Sequence, residues 1–165
     1  MVDIPTLTTE RLKLRPMTMD DWPEYAALMQ SDRAIFMCGP HTRAEAWGMF
    51  CQDIAQWSLL GLGALMFDER TSGKCLGQIG INHGPLDPEH ELGWYVYAEA
   101  EGKGFAFEAA KALRDWALND KCFPTLVSCM DPQNIKSRNL AERLGARLDA
   151  SAKPPHKGDL VLRHW

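Results

Sequence analysis

The first part of the chain carries one strand pattern followed by a helical one. Leu12 and Leu14 alternate with charged residues, which predicts a half-buried strand over 11–15. Thr18 is a residue type that caps helices, and the apolar positions after it recur at helical spacing. We therefore expect a helix that begins after Thr18 and runs to about Gln30.

A capping box marks the second helix. Thr42, followed three residues later by Glu45, forms a pattern that satisfies free backbone amides at a helix start. Behind this pair, apolar side chains recur at helical spacing at Trp47, Phe50, Ile54 and Trp57. Gly61 and Gly63 then predict that the helix ends near Leu60.

The rest of the chain alternates short strand patterns with two further helices. Its periodicity predicts strands over 63–68, 75–83, 91–97 and 125–130, helices over 104–119 and 134–144, and a last hairpin of 147–149 with 159–165. Short turns make the first three of these strands an antiparallel meander, whereas the helix over 104–119 is a crossover that makes its flanking strands parallel. The predicted fold class is α+β, with a mixed, mostly antiparallel sheet of about six or seven strands and helices on both faces.

Length and composition predict a single soluble domain over residues 1–165. The chain is 45% hydrophobic and 24% charged, as is ordinary for a globular protein. Its net charge of −4 argues against a nucleic-acid partner, because binding a phosphate backbone needs a basic face. No apolar run reaches the roughly 20 residues of a membrane span, and the first residues lack a signal-peptide pattern. We expect a cytoplasmic protein without a membrane partner.

The cysteines and histidines do not form a recognisable metal site. Five cysteines, an odd number with no C-x-x-C pattern, predict reduced thiols rather than a disulfide framework. The five histidines are scattered, and no H-E-x-x-H motif or Cys/His cluster is present in the sequence. We therefore expect no metal.

A glycine-punctuated loop between a strand and a helix is the first candidate for chemistry. Gly102 and Gly104 lie just before the helix that begins near Phe105, and Lys103 adds a cation between them. The first amides of a helix have no partner inside it, so this layout suits a phosphate or diphosphate. Lys103 is followed by glycine and Phe107 replaces a third glycine, which excludes the Walker A and dinucleotide fingerprints. A plain strand-to-helix loop with two turn glycines stays an alternative.

A second stretch changes the interpretation of that loop. Residues 131–146, D-P-Q-N-I-K-S-R-N-L-A-E-R-L-G-A, resemble the GNAT acetyltransferase superfamily, and within it the Rim-type group that acetylates protein N-termini and related amines. The corresponding positions are Glu99, Gly102 and Gly104 in the coenzyme A loop, Asn134, Ser137, Leu144 and Gly145 in the later motif, and T-x-R-L-x-L-R-P at 9–16. One position departs from the family, since Gln or Arg usually stands where this chain has Glu99. We expect that carboxylate to point to solvent while the backbone binds phosphate.

The resemblance implies a splayed central pair of parallel strands that holds acetyl-CoA as cosubstrate. Backbone groups of Val96 and Tyr97 would pair with its pantetheine arm. The implied cofactor-binding residues are Val96, Tyr97, Gly102, Lys103, Gly104, Phe105 and Asn134. Lys103, Arg138 and Arg143 are candidates for the 3′-phosphate of coenzyme A, and solvated surface charges are the alternative account of each.

The implied reaction is direct attack of a primary amine on the acetyl thioester. Many family members protonate the leaving thiolate with a tyrosine, but Ala141 stands at that position here. The Rim-type group instead has a serine three residues after the Asn, which makes Ser137 the candidate acid, with a serine that hydrogen-bonds the helix backbone as the alternative. Glu91 is the candidate base, acting directly or through water, with a solvated strand carboxylate as the alternative. Phe36 and Trp94 are candidate acceptor-binding residues.

Two functions stay open at this point. The first is an N-acetyltransferase whose acceptor is a protein N-terminus or a small-molecule amine. The second is a non-catalytic module that binds acyl-CoA as a sensor or interaction partner, which Glu99 and Ala141 favour. The oligomeric state, monomer or homodimer, does not follow from the sequence.

Overall fold

The computed structural model describes residues 3–85 and 87–165, apart from the side chain of Pro88. These ranges contain the strands β1 (Leu7–Thr8), β2 (Leu12–Pro16), β3 (Ala64–Glu69), β4 (Cys75–Gly84), β5 (Asp87–Val96), β6 (Val127–Met130), β7 (Arg147–Leu148) and β8 (Leu160–Arg163). Their α-helices are α1 (Trp22–Met29), α2 (Arg43–Leu60), α3 (Phe105–Trp116) and α4 (Ile135–Arg143). The strands form one sheet in the order β1-β2-β3-β4-β5-β6-β8-β7, and β5 with β6 is its parallel pair.

The predicted α+β class, with a mixed and mostly antiparallel sheet, is confirmed. The described sheet has eight strands rather than six or seven, because β1 adds a two-residue edge in which Leu7 pairs with Leu14. Two residues are too few to show an alternation of apolar and polar positions. The strands predicted over 75–83 and 91–97 also approach each other more closely in sequence than expected, since Gly84 and Asp87 already pair; Leu86 between them lies outside the described residues.

The predicted helix boundaries are close to the observed ones because local capping determines them. Thr42 and Glu45 form the expected reciprocal capping box at the start of α2. Gly61 adopts a left-handed conformation, with φ 70°, immediately after the helix. The helix predicted over 104–119 is instead an α-helix that ends at Trp116 and continues as a π turn over Ala117–Lys121.

Helices cover both faces of the sheet, as predicted. One apolar core lies under α3 and includes Leu14, Ile79, Leu92 and Leu113. A second core, on the other face, packs α1 and α2 against strand residues such as Met66 and Tyr95. In the described ranges, no helix combines the length and the apolar character needed to cross a bilayer.

The parallel strands β5 and β6 meet at one position and then separate. Their register has a single pair, Glu91 with Val127, within the part of the chain that the structure describes. On the other edge of β5, the Tyr97 N–H donates to the Leu76 carbonyl at 2.9 Å. Because alternate residues of an antiparallel strand direct their backbone groups to opposite edges, Trp94 and Val96 direct theirs toward β6. The splay therefore leaves the backbone edge of these two residues facing a gap.

Candidate active site

A cavity of about 750 Å³ opens where β5 and β6 diverge. It lies between the end of β5, the starts of α3 and α4, and a 3₁₀ turn over Asp32–Met37. Five of the residues predicted to bind the cofactor line it: Val96, Gly102, Gly104, Phe105 and Asn134. The residues that line the cavity extend from the glycine loop to the first turn of α4.

The glycine loop has the backbone conformation that an anion site requires. Gly102 and Gly104 have φ of 77° and 81°, in the left-handed region that residues with a Cβ rarely adopt. Gly104 directly precedes α3, and its carbonyl accepts the first helical hydrogen bond from Glu108. The amides of residues 105–107 are thus left at the positive end of the helix dipole, where they suit a diphosphate.

A contact network from the first strand pair holds this loop in place. The Arg11 guanidinium donates to the Lys103 carbonyl at 3.1 Å and to the Glu108 carboxylate at 2.7 Å, and it lies 4.5 Å from the centre of the Phe105 ring. The Thr9 hydroxyl donates to Glu108 at 2.6 Å. Burial raises the pKa of Glu108, but the hydrogen bonds from Thr9 and Arg11 outweigh it and leave the pKa below its ordinary value. The ionised carboxylate therefore fixes the loop to the turn between β1 and β2.

Two predicted cofactor residues lie elsewhere. Both backbone groups of Tyr97 are used within the chain, because its N–H binds Leu76 and its carbonyl accepts from Ala100 at 2.9 Å. Its side chain packs in the core under α1 and α2, so the prediction for Tyr97 is corrected to a structural role. Lys103 directs its carbonyl to Arg11 and does not line the cavity. The sequence does not reveal the first feature, because it does not show which edge of β5 and its extension faces β4.

Glu99, the departure from the family pattern, does not face the cavity. Its carboxylate pairs with Lys74 at 2.5 Å, and both side chains are about half exposed. The side chain thus points toward the β3–β4 turn instead of toward the glycine loop. A carboxylate at this position therefore leaves the phosphate-binding backbone unobstructed.

A second cavity, of about 400 Å³, lies on the α2 side of the sheet and contains Glu91. It meets the first cavity at a shared set of residues that includes Phe36, Trp94, Tyr95, Asn134 and Ser137. The candidate acid and both candidate acceptor-binding residues therefore lie at the junction of the two cavities. Two substrates that enter from opposite sides would meet there.

Glu91 has the environment of a base that works near neutral pH. Burial raises the pKa of its carboxyl group to about 7, and the neighbouring carboxylates of Asp87 and Asp159 contribute in the same direction. The Cys129 N–H donates to it at 3.3 Å, at the place where β6 turns away from β5. The side chain is half-buried and lines the second cavity. It is therefore not a fully solvated strand carboxylate.

Ser137 lies one turn into α4, beside the residue that caps this helix. The Asn134 side-chain oxygen accepts from the Ser137 N–H at 3.3 Å, which leaves the Asn134 amide group as a donor. Within the described ranges the Ser137 hydroxyl has no hydrogen-bond partner, so it does not bond back to its own helix. Ala141 is fully buried against Met130 and Leu162, which leaves no room for a side chain at the family's tyrosine position.

A group of charged side chains that the sequence does not predict lies beside the first cavity. The Arg33 guanidinium donates to the Val96 carbonyl at 3.2 Å and to Glu101 at 2.9 Å, and Lys136 pairs with the other oxygen of Glu101. The hydrogen bonds from Lys136 and Arg33 hold the pKa of Glu101 below its ordinary value. These residues come from three separate elements, so no sequence pattern connects them. Arg33 occupies a carbonyl that faces the gap between the strands.

Replacing Glu101 by glutamine is expected to tighten coenzyme A binding by about threefold to tenfold, that is by about 0.7–1.4 kcal/mol. The change removes the carboxylate that neutralises Arg33 and Lys136, and so leaves two uncompensated cations beside a site for an anion. Isothermal calorimetry with coenzyme A measures the effect. Asp115→Asn is the matched control, because Asp115 pairs with Lys111 and Arg114 on α3 and none of the three lines the cavity. Unchanged or weaker binding of coenzyme A by the Glu101 variant would contradict the inference that Glu101 neutralises two cations beside the anion site.

The comparisons with known proteins agree with this geometry. Residues 11–147 match the sequence model of the family described as the acetyltransferase (GNAT) domain. The crystal structure of an acetyltransferase from Agrobacterium tumefaciens strain C58 is 53% identical with a TM-score of 0.96, covering 99% of this chain and 95% of that chain. The uncharacterized protein YkkB of Bacillus subtilis strain 168 is 25% identical over 84% of this chain and 83% of its own length.

A further solved structure shares the fold alone. It is RimL, a ribosomal-protein alpha-N-acetyltransferase in complex with coenzyme A, with 13% identity and a TM-score of 0.77 over 96% of each chain. The described residues contain no group of three or more His, Cys, Asp or Glu side chains placed to hold a metal ion.

Proposed function

We propose that the chain, which belongs to the GNAT acetyltransferase family, moves the acetyl group of acetyl-CoA onto a primary amine by direct attack. The observation that carries the proposal is the junction of two cavities at Trp94, Tyr95, Asn134 and Ser137. One cavity contains the glycine loop, and the other contains the carboxyl group of Glu91, whose pKa is raised to about 7. The family makes the chain an acyltransferase, and the direct step is our inference from the site.

The chain's residues fit acetyl-CoA as cosubstrate. Amides 105–107, beyond the left-handed Gly102 and Gly104, would hold its diphosphate. The backbone of Trp94 and the N–H of Val96 face the gap left by β6 and would pair with the amides of the pantetheine arm as an added strand does, while the Val96 carbonyl accepts from Arg33. The free amide group of Asn134 would donate to the same arm.

The proposed chemistry forms a C–N bond and breaks a C–S bond. The neutral amine attacks the thioester carbonyl carbon, and the excess proton on its nitrogen passes to the Glu91 carboxylate, directly or through water. The thiolate of coenzyme A leaves and takes a proton from the Ser137 hydroxyl, which solvent then replaces. A base with a pKa of about 7 can take up this proton, and an alkyl amine, with a pKa of about 10.4 in water, has to lose its first proton before the attack.

Ser137→Ala is expected to lower kcat for acetyl transfer by about tenfold. The loss stays below the about 10²–10⁴-fold range of strong acid–base catalysis because water can protonate a thiolate whose pKa is near 8.5. Thiol release under saturating acetyl-CoA measures it. Ser137→Thr keeps a hydroxyl and should retain most of kcat, whereas full activity of the alanine variant would reject the acid role.

A screen of primary amines tests the proposed transfer against the non-catalytic alternative. Coenzyme A should stabilise the fold against heat under both functions, because both require binding. Release of free thiol that depends on the amine is expected only from the transferase. If peptides, amino acids and small amines all fail while coenzyme A still binds, the chain is a binding module.

A further inference from the structure

The two cavities differ in the sign of their charged side chains. The first cavity, which is the cofactor cavity of the proposed reaction, is lined by the cations Arg33, Lys136 and Arg143 together with two carboxylates. The second cavity, which is the acceptor cavity, is lined by five carboxylates: Asp53, Asp87, Glu91, Asp131 and Asp159. Within the described residues no lysine or arginine lines the acceptor cavity, and His156 is its one titratable nitrogen group. An acceptor that enters this cavity therefore meets a negative field.

The floor of the acceptor cavity is a strip of sheet without side chains at its middle. Gly80 of β4 pairs with Gly93 of β5, and a Cβ placed on Gly93 would have no other atom within 4 Å. The pair of Asn82 with Glu91 lies on one side of the glycines, and the pair of Gln78 with Tyr95 lies on the other. Since these residues share one face of the sheet, they form a slot whose two ends are about 13 Å apart along the strand.

Each end of the slot has a carboxylate. Glu91 lies at one end, and Asp53 reaches the other end from α2. The Gln78 amide donates to Asp53 Oδ2 at 3.0 Å, and the Tyr25 hydroxyl donates to the same oxygen at 3.2 Å. Among the described residues, no hydrogen bond ends on Asp53 Oδ1. No cation in the described part of the chain pairs with this carboxylate, although burial is costly for an unpaired charge. Burial raises the pKa of Asp53 to about 6, which still leaves most of it ionised at neutral pH.

A second polar group at the same end also has no partner. Tyr95 lines the cavity, is 8% exposed, and has a buried hydroxyl that makes no hydrogen bond within the described part of the chain. Its ring packs against the Tyr25 ring at 6.1 Å, so it belongs to the group around Asp53. Buried hydroxyls are normally hydrogen-bonded, and this one is an unused donor-acceptor oxygen in the group of side chains that contains Asp53. Both observations point to a ligand with N–H donors.

We propose that the acceptor is a small amine that carries a second ammonium group, and that Asp53 binds this second group while the first is acetylated. The assignment rests on the proposed acetyl transfer and defines its substrate class. Gln78 and Tyr25 hold the Asp53 carboxylate in position, and the Tyr95 ring packs against Tyr25. The bare glycine strip accommodates the methylene chain between the two nitrogens. A charge-assisted pair at this site favours a diamine over a monoamine of equal length.

The test compares 1,5-diaminopentane with n-hexylamine as acceptors of similar length. With the wild-type chain and saturating acetyl-CoA, kcat/KM for the diamine is expected to exceed that for the monoamine by at least about tenfold. In Asp53→Asn, which is nearly isosteric, this ratio should fall to about one while the rate with hexylamine is retained. Asp115→Asn is the control for net charge, because Asp115 pairs with Lys111 on α3 outside the cavity, and its ratio should equal the wild-type ratio.

Three results would overturn the assignment. Equal kcat/KM for the two amines in the wild-type chain, or an unchanged ratio in Asp53→Asn, would refute the acceptor class and leave acetyl transfer intact. No thiol release with either amine or with any amine of the broader screen would refute the transfer and the acceptor class together. If Asp53→Asn does not fold, Tyr25→Phe provides the second variant, since it removes one of the hydrogen bonds that orient Asp53. It should reduce the ratio and leave hexylamine acetylation unchanged.

Discussion

Glu91→Gln is expected to reduce kcat for acetyl transfer by about 10²–10⁴-fold, the usual contribution of a general base. Glutamine keeps the size of the side chain and its acceptor oxygen for the Cys129 N–H, but it does not accept a proton. Coenzyme A binding should be unchanged, because Glu91 lines the acceptor cavity and not the cofactor cavity. Thiol release at saturating amine measures the first effect, and calorimetry measures the second.

The pH profile of the wild-type chain is the companion measurement. Burial raises the pKa of Glu91 to about 7, so the carboxylate that accepts the proton is the major form above that pH and the minor form below it. We expect kcat to fall about tenfold for each pH unit below this value and to level off above it. Asp87 and Asp159 face the same cavity and raise the midpoint without reversing the direction. An identical profile in Glu91→Gln would assign the titration to another group.

Gly93→Leu is expected to abolish acetyl transfer without affecting coenzyme A binding. The backbone of Gly93 lies in a strand, so a side chain there needs no unusual conformation and projects into the open slot. A leucine would fill the floor of the acceptor cavity and displace the amine from its attack position. A displacement of about 1 Å costs on the order of 10²-fold in rate, so we expect a loss of at least about 10²-fold in kcat/KM for the acceptor.

Gly48→Leu is the matched control for the substitution in the slot. Gly48 lies on an exposed part of α2, and a Cβ there would also have no atom within 4 Å. Leucine favours a helix, so this variant should be as stable as the wild-type chain or slightly more stable. Wild-type transfer rates in Gly93→Leu would show that the acceptor binds elsewhere, and loss of coenzyme A binding would show that the two cavities are not separable.

Local signals in the sequence were enough to predict most of the fold. The capping box at Thr42 and the left-handed Gly61 bound α2 at both ends, and neither depends on the rest of the chain. The crossover helix determined that β5 and β6 are parallel. The two-residue strand β1 was missed because it is defined by its pairing with β2, and a pairing partner leaves no periodic signal in so short a segment.

The site was predictable only where a motif or a single residue carries it. Gly102, Gly104, Asn134 and Ser137 belong to family motifs and lie at the cofactor cavity. The backbone of Tyr97 faces β4 and not the gap, because residue types do not show which edge of a strand faces which neighbour. Since β6 diverges from β5, Trp94 and Val96 are the residues whose backbone faces the gap.

A buried role for Asp53 could have been predicted from the sequence. Asp53 lies three residues after Phe50 and four before Trp57, so it places a carboxylate on the apolar stripe of α2. A charged residue on such a stripe indicates either a buried pair or a site. The bridge between Arg33 and Glu101 had no signal of this kind, because its members come close together only through the tertiary fold.

The most direct test of the account is simultaneous measurement of free thiol and acetylated amine by mass spectrometry, with acetyl-CoA and a panel of primary amines. The account predicts that the two products appear in equal amounts, that both depend on the amine, and that both nearly vanish in Glu91→Gln. Binding of coenzyme A without an acetylated product from any amine would contradict it.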